Sequence, residues 1–297
     1  MPPLFNSSVR GCQIEMDFVA FGHDILKKIC YTIPSIFGGN TLFHFCESRT
    51  GCARTVINHL MKYRKEESDM EMKVDAKTER VRIWEELLKV AKPDSKFSWQ
   101  FSEFICDYEG SEKGTALLTA TDMYKNAKVI FITPDNNLET LREQAFRDKK
   151  TVVMTNYGIT RGFFLIRPGQ IPEGKEEVAS LLDGVSRYWK HQTLAQLKES
   201  VGHIDMMVTG ASAITPSGIR FGKGHGYFDL EWAMLSSKGI ADNSTVIIGA
   251  GHDCQVADVP VTVEEYDTAI DYIVTPTRII ETRHEFPRPS KGIIWSR

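Results

Sequence analysis

A chain of 297 residues, 42% hydrophobic and 25% charged, has an ordinary globular composition and the length for one large domain or two modest ones. Its 36 Lys and Arg against 39 Asp and Glu give a net charge of -3. That argues against a chain built to coat nucleic acid and leaves such a partner to local basic patches only. No stretch reaches the roughly 18 apolar residues of a membrane span and no basic cluster precedes an apolar run, so a cytoplasmic location is expected, with the six cysteines as free thiols.

Residues 1–75 show no clear pattern of regular elements and are expected to form an N-terminal extension to a main domain over 76–297. Cys46, Cys52 and His59 are metal-ligand types within it, but their spacing matches no CxxC knuckle and buried thiols are the favoured reading. The charged run from Lys62 to Arg80 reads as a solvated linker or helix face. Beyond it, ERVRIWEELLKVA places Val81, Trp84, Leu87, Leu88 and Ala91 on one helical stripe. Short, continuously apolar runs then recur: VIFIT from Val129, TVVMT from Thr151, MMVTG from Met206, VIIGA from Val246 and DYIVT from Asp271. Such runs suit strands buried on both faces of a parallel sheet. NLETLREQAFRD, after Pro134 and Asp135, predicts one intervening helix, and LLDGVSRYWKHQTLAQLKES predicts another, long and amphipathic. Trp84, Trp189 and Trp232 fall at helical positions and are expected to pack in the core or at an interface. The alternation predicts an α/β fold, a layered, mostly parallel sheet flanked by helices.

The stretch GIRFGKGHGYFDLEW, residues 218–232, stands between the strand MMVTG and a helix read from DLEWAMLSSKG. A glycine-rich connection into a helix N-terminus presents backbone N–H groups and the positive end of the dipole to an anion, and Arg220 and Lys223 add charge. Neither the Walker A spacing nor the dinucleotide GxGxxG is present, so on glycine spacing alone a phosphate cradle and a plain turn compete evenly. Asp229, Asp267 and Asp271 tip the balance, because Mg²⁺ takes one or two carboxylates together with phosphate oxygens. His252, after VIIGA, is expected to bond a neighbouring backbone group rather than act as a base.

From His203 to Arg297 the chain resembles the 5-formyltetrahydrofolate cyclo-ligase, or methenyltetrahydrofolate synthetase, family, and most closely its branch of methenyltetrahydrofolate synthetase domain-containing proteins. The residues that carry the likeness are VTG, GIRFGKGHGYFDLEWAML, HDCQVADVPV, EEYDTAIDYIVTPTRII and PRPSKGIIW, in that order, and a weaker likeness reaches back to about Lys77. Residues 1–75 are not covered. The resemblance implies a fold of the NagB/RpiA/CoA-transferase type and an enzyme that uses ATP and Mg²⁺. It would place Arg220, Gly222, Lys223, Gly224, His225 and Gly226 at the phosphates, Tyr227 beside substrate or nucleotide, and Asp229 and Asp271 on the metal. Lys77 and Arg80 would add phosphate contacts from a helix, and Lys223, Tyr227 and Asp229 would form the catalytic set. The implied substrate is a reduced folate or an analogue, and the implied chemistry is phosphoryl activation of the N5-formyl oxygen followed by ring closure from N10. The chain departs from the family pattern where Ala213, Ile214 and Thr215 replace Ala-Phe-Asp, and where GHGYFDL replaces GGGYYDR. Those departures keep an alternative in view, a silent member that senses a ligand or binds RNA or protein.

Overall fold

The computed structural model describes residues 76–259, 262–290 and 292–293, all within one compact unit spanning Lys65–Arg297. The N-terminal extension, with Cys46, Cys52 and His59, lies outside the described residues. Helix α1 (Ala76–Leu87) buries Ile83 and Leu87, with Trp84 half-buried, and stops before Leu88, which is 51% exposed. The real stripe is therefore shorter than the one read from the sequence, and it takes in Ile83, which that reading left out. After a turn-rich segment carrying Phe97, Phe101 and Phe104 come α2 (Ser111–Ala120) and α3 (Asp122–Asn126). The Thr121 hydroxyl caps α3 by accepting from the Tyr124 N–H.

Then follow β1 (Val129–Ile132), α4 (Glu139–Arg147), β2 (Thr151–Thr155), β3 (Phe163–Ile166), α5 (Glu176–Ser180) and α6 (Leu182–Tyr188). The chain continues through β4 (Lys190–Gln192), α7 (Leu194–Val201), β5 (Met206–Gly210) and the hairpin β6 (Ala213–Ile214) with β7 (Arg220–Phe221). It ends with α8 (Tyr227–Ser237), β8 (Val246–Ala250), β9 (Tyr272–Val274) and β10 (Ile279–Glu281). The long helix expected over 181–200 is thus two helices separated by an edge strand. Thr193 starts the second as a capping box with Gln196, each side chain bonding the other's backbone N–H. Trp189 sits in the break rather than on a helix, its ring edge-on to Phe146 and Phe164 at 6.2 and 6.3 Å.

The sheet order is β10-β9-β8-β5-β1-β2-β3-β4. The five strands from β9 to β2 are parallel; β10 joins one end antiparallel, and β3 and then β4 join the other, each antiparallel to its neighbour. Successive side chains of the parallel strands point to opposite faces. Ile130, Ile132, Val152, Met154, Val208 and Ile248 join one core with Leu141 and Phe146, while Phe131, Val153, Met207, Ile247 and Ile273 join another with Trp232 and Leu235. Both faces are buried, which is why the strands read as unbroken apolar runs. Among the described residues no helix is long and apolar enough to cross a membrane.

Candidate functional site

Strand β1 is followed in sequence by β2 on one side and has β5 on the other, so the connections leave in opposite directions and open a crevice at the carboxyl edge between β1 and β5. A cleft of about 440 Å³ lies there. Thr133, Pro134 and Asp135 line it from the end of β1, Thr155 to Tyr157 from β2, and Thr209 and Gly210 from β5. The remaining wall runs from Arg220 through the glycine loop to Asp229 and Glu231 on α8, with Glu264 and Asp267 from a later loop.

In the glycine loop Gly224 and Gly226 have φ of 108° and 66°, the left-handed region that side chains avoid, and Gly226 is the residue from which α8 starts. Lys223, half-buried, crosses the cleft: its ammonium donates to the Tyr157 hydroxyl at 2.8 Å and to the Glu103 carbonyl at 3.0 Å. It lies 4.1 Å from the Tyr157 ring centroid and 5.6 Å from that of Tyr227. Burial pulls the Lys223 ammonium below its ordinary pKa, opposed by the charges of Asp135 and Glu103. His225 stacks on Tyr227 with ring centroids 5.3 Å apart. Arg220 is buried over the Phe228 ring, and its Nη2 reaches Asp229 Oδ2 at 3.4 Å. Asp229 Oδ1 accepts from the Thr268 N–H at 2.9 Å, which ties α8 to the 262–268 loop.

Carboxylates dominate the other walls. Asp135 Oδ2 accepts from the Thr133 hydroxyl at 2.5 Å and from the Gly210 N–H at 2.9 Å. A Cβ at Gly210 would lie 2.7 Å from Asn137 Oδ1, 2.8 Å from Ile105 and 2.9 Å from Asp135 Oδ2, so only glycine fits. Arg142, fully buried, donates to the carbonyls of Thr133, Asp135 and Ser180 and holds this loop from beneath. Glu231 is buried with Oε1 against the Thr155 hydroxyl, and burial pushes its pKa up to about 8. Burial also raises Asp267, the Glu264 N–H opposing and the nearby charge of Asp229 adding to it.

The structure therefore brings Arg220, Gly222, Lys223, Gly224, His225, Gly226, Tyr227 and Asp229 to one cleft. Asp271 is not among them. It stands at the start of β9, on the amino edge of the sheet, where Oδ2 accepts from the Ile247 N–H at 2.7 Å and from the Arg288 guanidinium. Its neighbour Asp267 is the one that lines the cleft. Lys77 and Arg80 fall in the first turns of α1, and their side chains lie outside the described residues. His252 caps a short turn, its Nδ1 accepting from the Cys254 N–H. Asp135, Thr155, Tyr157 and Glu231 are lining residues that sequence reading did not assign to the site. The available signal was their position, directly after an apolar strand or one helical turn past the glycine loop.

Among the described residues no three His, Cys, Asp or Glu side chains gather into a metal cage. A Mg²⁺ ion on phosphate needs only one or two carboxylates, and Asp229 and Asp267, two hard oxygen donors close enough to repel, fit that requirement. The fit to a phosphate chain rests on the left-handed glycines opening onto the α8 N-terminus.

A family model described as the 5-formyltetrahydrofolate cyclo-ligase family matches residues 72–276. The methenyltetrahydrofolate synthase domain-containing protein of Bos taurus is 34% identical over 197 residues, 65% of this chain and 50% of that protein. The Homo sapiens protein of the same name is 33% identical over 193 residues, 64% and 49% respectively. The chain thus spans about half the length of these curated relatives. Among solved structures, the NMR structure of Aquifex aeolicus 5,10-methenyltetrahydrofolate synthetase aligns over 71% of this chain and 94% of that one, at 16% identity and a TM-score of 0.45.

Proposed function

The chain belongs to the 5-formyltetrahydrofolate cyclo-ligase family, and from that premise we propose that the cleft binds ATP and Mg²⁺ and closes 5-formyltetrahydrofolate, or a close N-formyl relative, to the methenyl form. The observation that carries the reading is the glycine loop, opening in left-handed conformation onto the N-terminus of α8 beside Arg220, Lys223 and the Asp229–Asp267 pair. When bound, ATP supplies the phosphoryl group that turns the formyl oxygen into a leaving group. The chain's own contribution is position and charge. Backbone N–H groups at 222–226 would face phosphate oxygens, and Asp229 and Asp267 would hold Mg²⁺. Lys223, on leaving Glu103 and Tyr157, would neutralise developing charge, while Tyr157 and Tyr227 wall the reacting groups from water.

The test follows methenyl product optically, with purified protein, 5-formyltetrahydrofolate and Mg-ATP, beside calorimetric nucleotide binding. ATP-dependent product supports the reading; a protein that binds no nucleotide sinks it. A second reading, a ligand-binding member without turnover, is favoured by the engagement of Lys223 with Glu103 and Tyr157 and of Asp229 with Arg220 and Thr268. Nucleotide binding without product would select it.

A further inference from the structure

Lys223 leaves the glycine loop and spans the cleft to its far wall. Both of its hydrogen-bond partners there are neutral, the Tyr157 hydroxyl at 2.8 Å and the Glu103 backbone carbonyl at 3.0 Å. Among the described residues no carboxylate hydrogen-bonds to it. The charges of Asp135 and Glu103 act on the ammonium only through space, and burial pulls its pKa down against them. A half-buried cation held by neutral acceptors gains on meeting an anion, because charge-assisted hydrogen bonds are the stronger kind.

The two ends of this bridge differ in how firmly they are held. Glu103 lies between Phe101 and Phe104, which are 5% and 1% exposed and share a core cluster with Leu87. Phe104 stacks on Phe97 at 6.1 Å, and Phe97 stacks on Tyr157 at 5.8 Å, so one run of aromatic rings backs both acceptors. The other end is the glycine loop, where Gly224, His225 and Gly226 are all exposed. Few packing contacts and glycine backbone make the loop the end that moves, and the aromatic wall the fixed post. While the bridge stands, the Lys223 side chain occupies the space between the loop and the strand ends that carry Asp135 and Thr155.

We propose that Lys223 is an anion-released bar across the cleft: a polyphosphate bound at the glycine loop withdraws the ammonium from Glu103 and Tyr157 and opens the cleft to the second substrate. Binding is then ordered, phosphate first. The coupling has a physical source, since the polyphosphate interacts with Lys223 in the withdrawn state and not in the bridging one. By reciprocity the second ligand tightens the first. The inference deepens the cyclo-ligase reading and rests on it for the identity of the two ligands.

The experiment measures calorimetric binding of 5-formyltetrahydrofolate to the full chain, alone and with saturating inorganic tripolyphosphate, which carries no base or sugar of its own. In wild type, tripolyphosphate is expected to tighten 5-formyltetrahydrofolate by about tenfold or more. Lys223→Met should bind 5-formyltetrahydrofolate alone more tightly than wild type does and lose the coupling, a gain that a merely structural lysine would not produce. Tyr157→Phe keeps the ring and removes one acceptor from the bridge. It should shrink the coupling and tighten tripolyphosphate by about two- to tenfold, the scale of one hydrogen bond, and it carries the test if the thermal midpoint shows Lys223→Met unfolded. Wild type that binds 5-formyltetrahydrofolate equally with and without tripolyphosphate overturns the proposal. So does a folded Lys223→Met that binds it more weakly, or a Tyr157→Phe that binds tripolyphosphate more weakly. A chain that binds both ligands independently loses the bar alone. One that never binds 5-formyltetrahydrofolate loses the bar and the cyclo-ligase reading together, and ordered binding without methenyl product keeps the bar and removes turnover.

Discussion

The two edges of the parallel sheet use the same side chain in opposite ways. On the amino edge, Asp205 Oδ2 accepts from the N–H groups of Lys128 and Val129 at 2.7 and 2.9 Å, and Asp271 Oδ2 accepts from Ile247 and Arg288. These carboxylates pin the first residues of β1 and β8. On the carboxyl edge, Asp135 and Asp229 are also anchored, yet both line the cleft and keep company with aromatic rings, a lysine and a glutamic acid whose pKa burial raises to about 8. An aspartate at a strand's start closes an orphaned backbone N–H. One placed just after a strand's end, where the connections part, is available to a ligand.

Four substitutions test that contrast. Asp229→Asn should lower methenyl formation by about two to three orders of magnitude, the scale of losing one charged group that stabilises developing charge, with little change in folding. A variant with full turnover would break the comparison at its functional end. Arg142→Met should cost about 3–5 kcal/mol in denaturant unfolding, since the carbonyls of Thr133, Asp135 and Ser180 lose a buried charged donor. Asp271→Asn should cost about 1–3 kcal/mol through the weakened Arg288 pair and leave turnover per folded molecule as in wild type. A loss of turnover there, at unchanged stability, would move the amino edge into the site.

The smallest effect is one of pH. Glu231 has its folded pKa raised to about 8 from the ordinary 4.5, so between those values the native state holds a proton that the unfolded chain releases. Stability from this group is therefore complete below the lower value and declines as pH rises toward 8. A thermal midpoint that falls by a few degrees over that window in wild type, and less in Glu231→Gln, is the expected result. Identical profiles for the two proteins would show that Glu231 is ionised when folded.

The parallel strands were legible in the sequence because burial on both faces removes the alternation that would otherwise blur them. The antiparallel end of the sheet was harder to read. FFLI at β3 is apolar but went unassigned, and the three residues of β4 interrupt an amphipathic stretch that runs on from Leu182 to Leu197. Only the Thr193–Gln196 capping box betrays the restart, and it is a signal of two residues. The site divided in the same manner. Arg220 to Asp229 were legible because one continuous loop carries them. Asp135, Tyr157 and Asp267 come from three separate connections, and only the strand order brings them together. Choosing between Asp267 and Asp271 required knowing which edge β9 starts from, and four residues of sequence separation do not contain that information.

Gly210 sets a limit on how this cleft can change. With Asn137, Ile105 and Asp135 already crowding the position where its first carbon would be, the β5 wall has no spare volume for even a methyl group. Variation in ligand size must therefore be accommodated on the facing side, by the 222–226 loop and Tyr157. Any attempt to re-engineer the chain for a bulkier substrate should leave the strand end untouched and rebuild the loop.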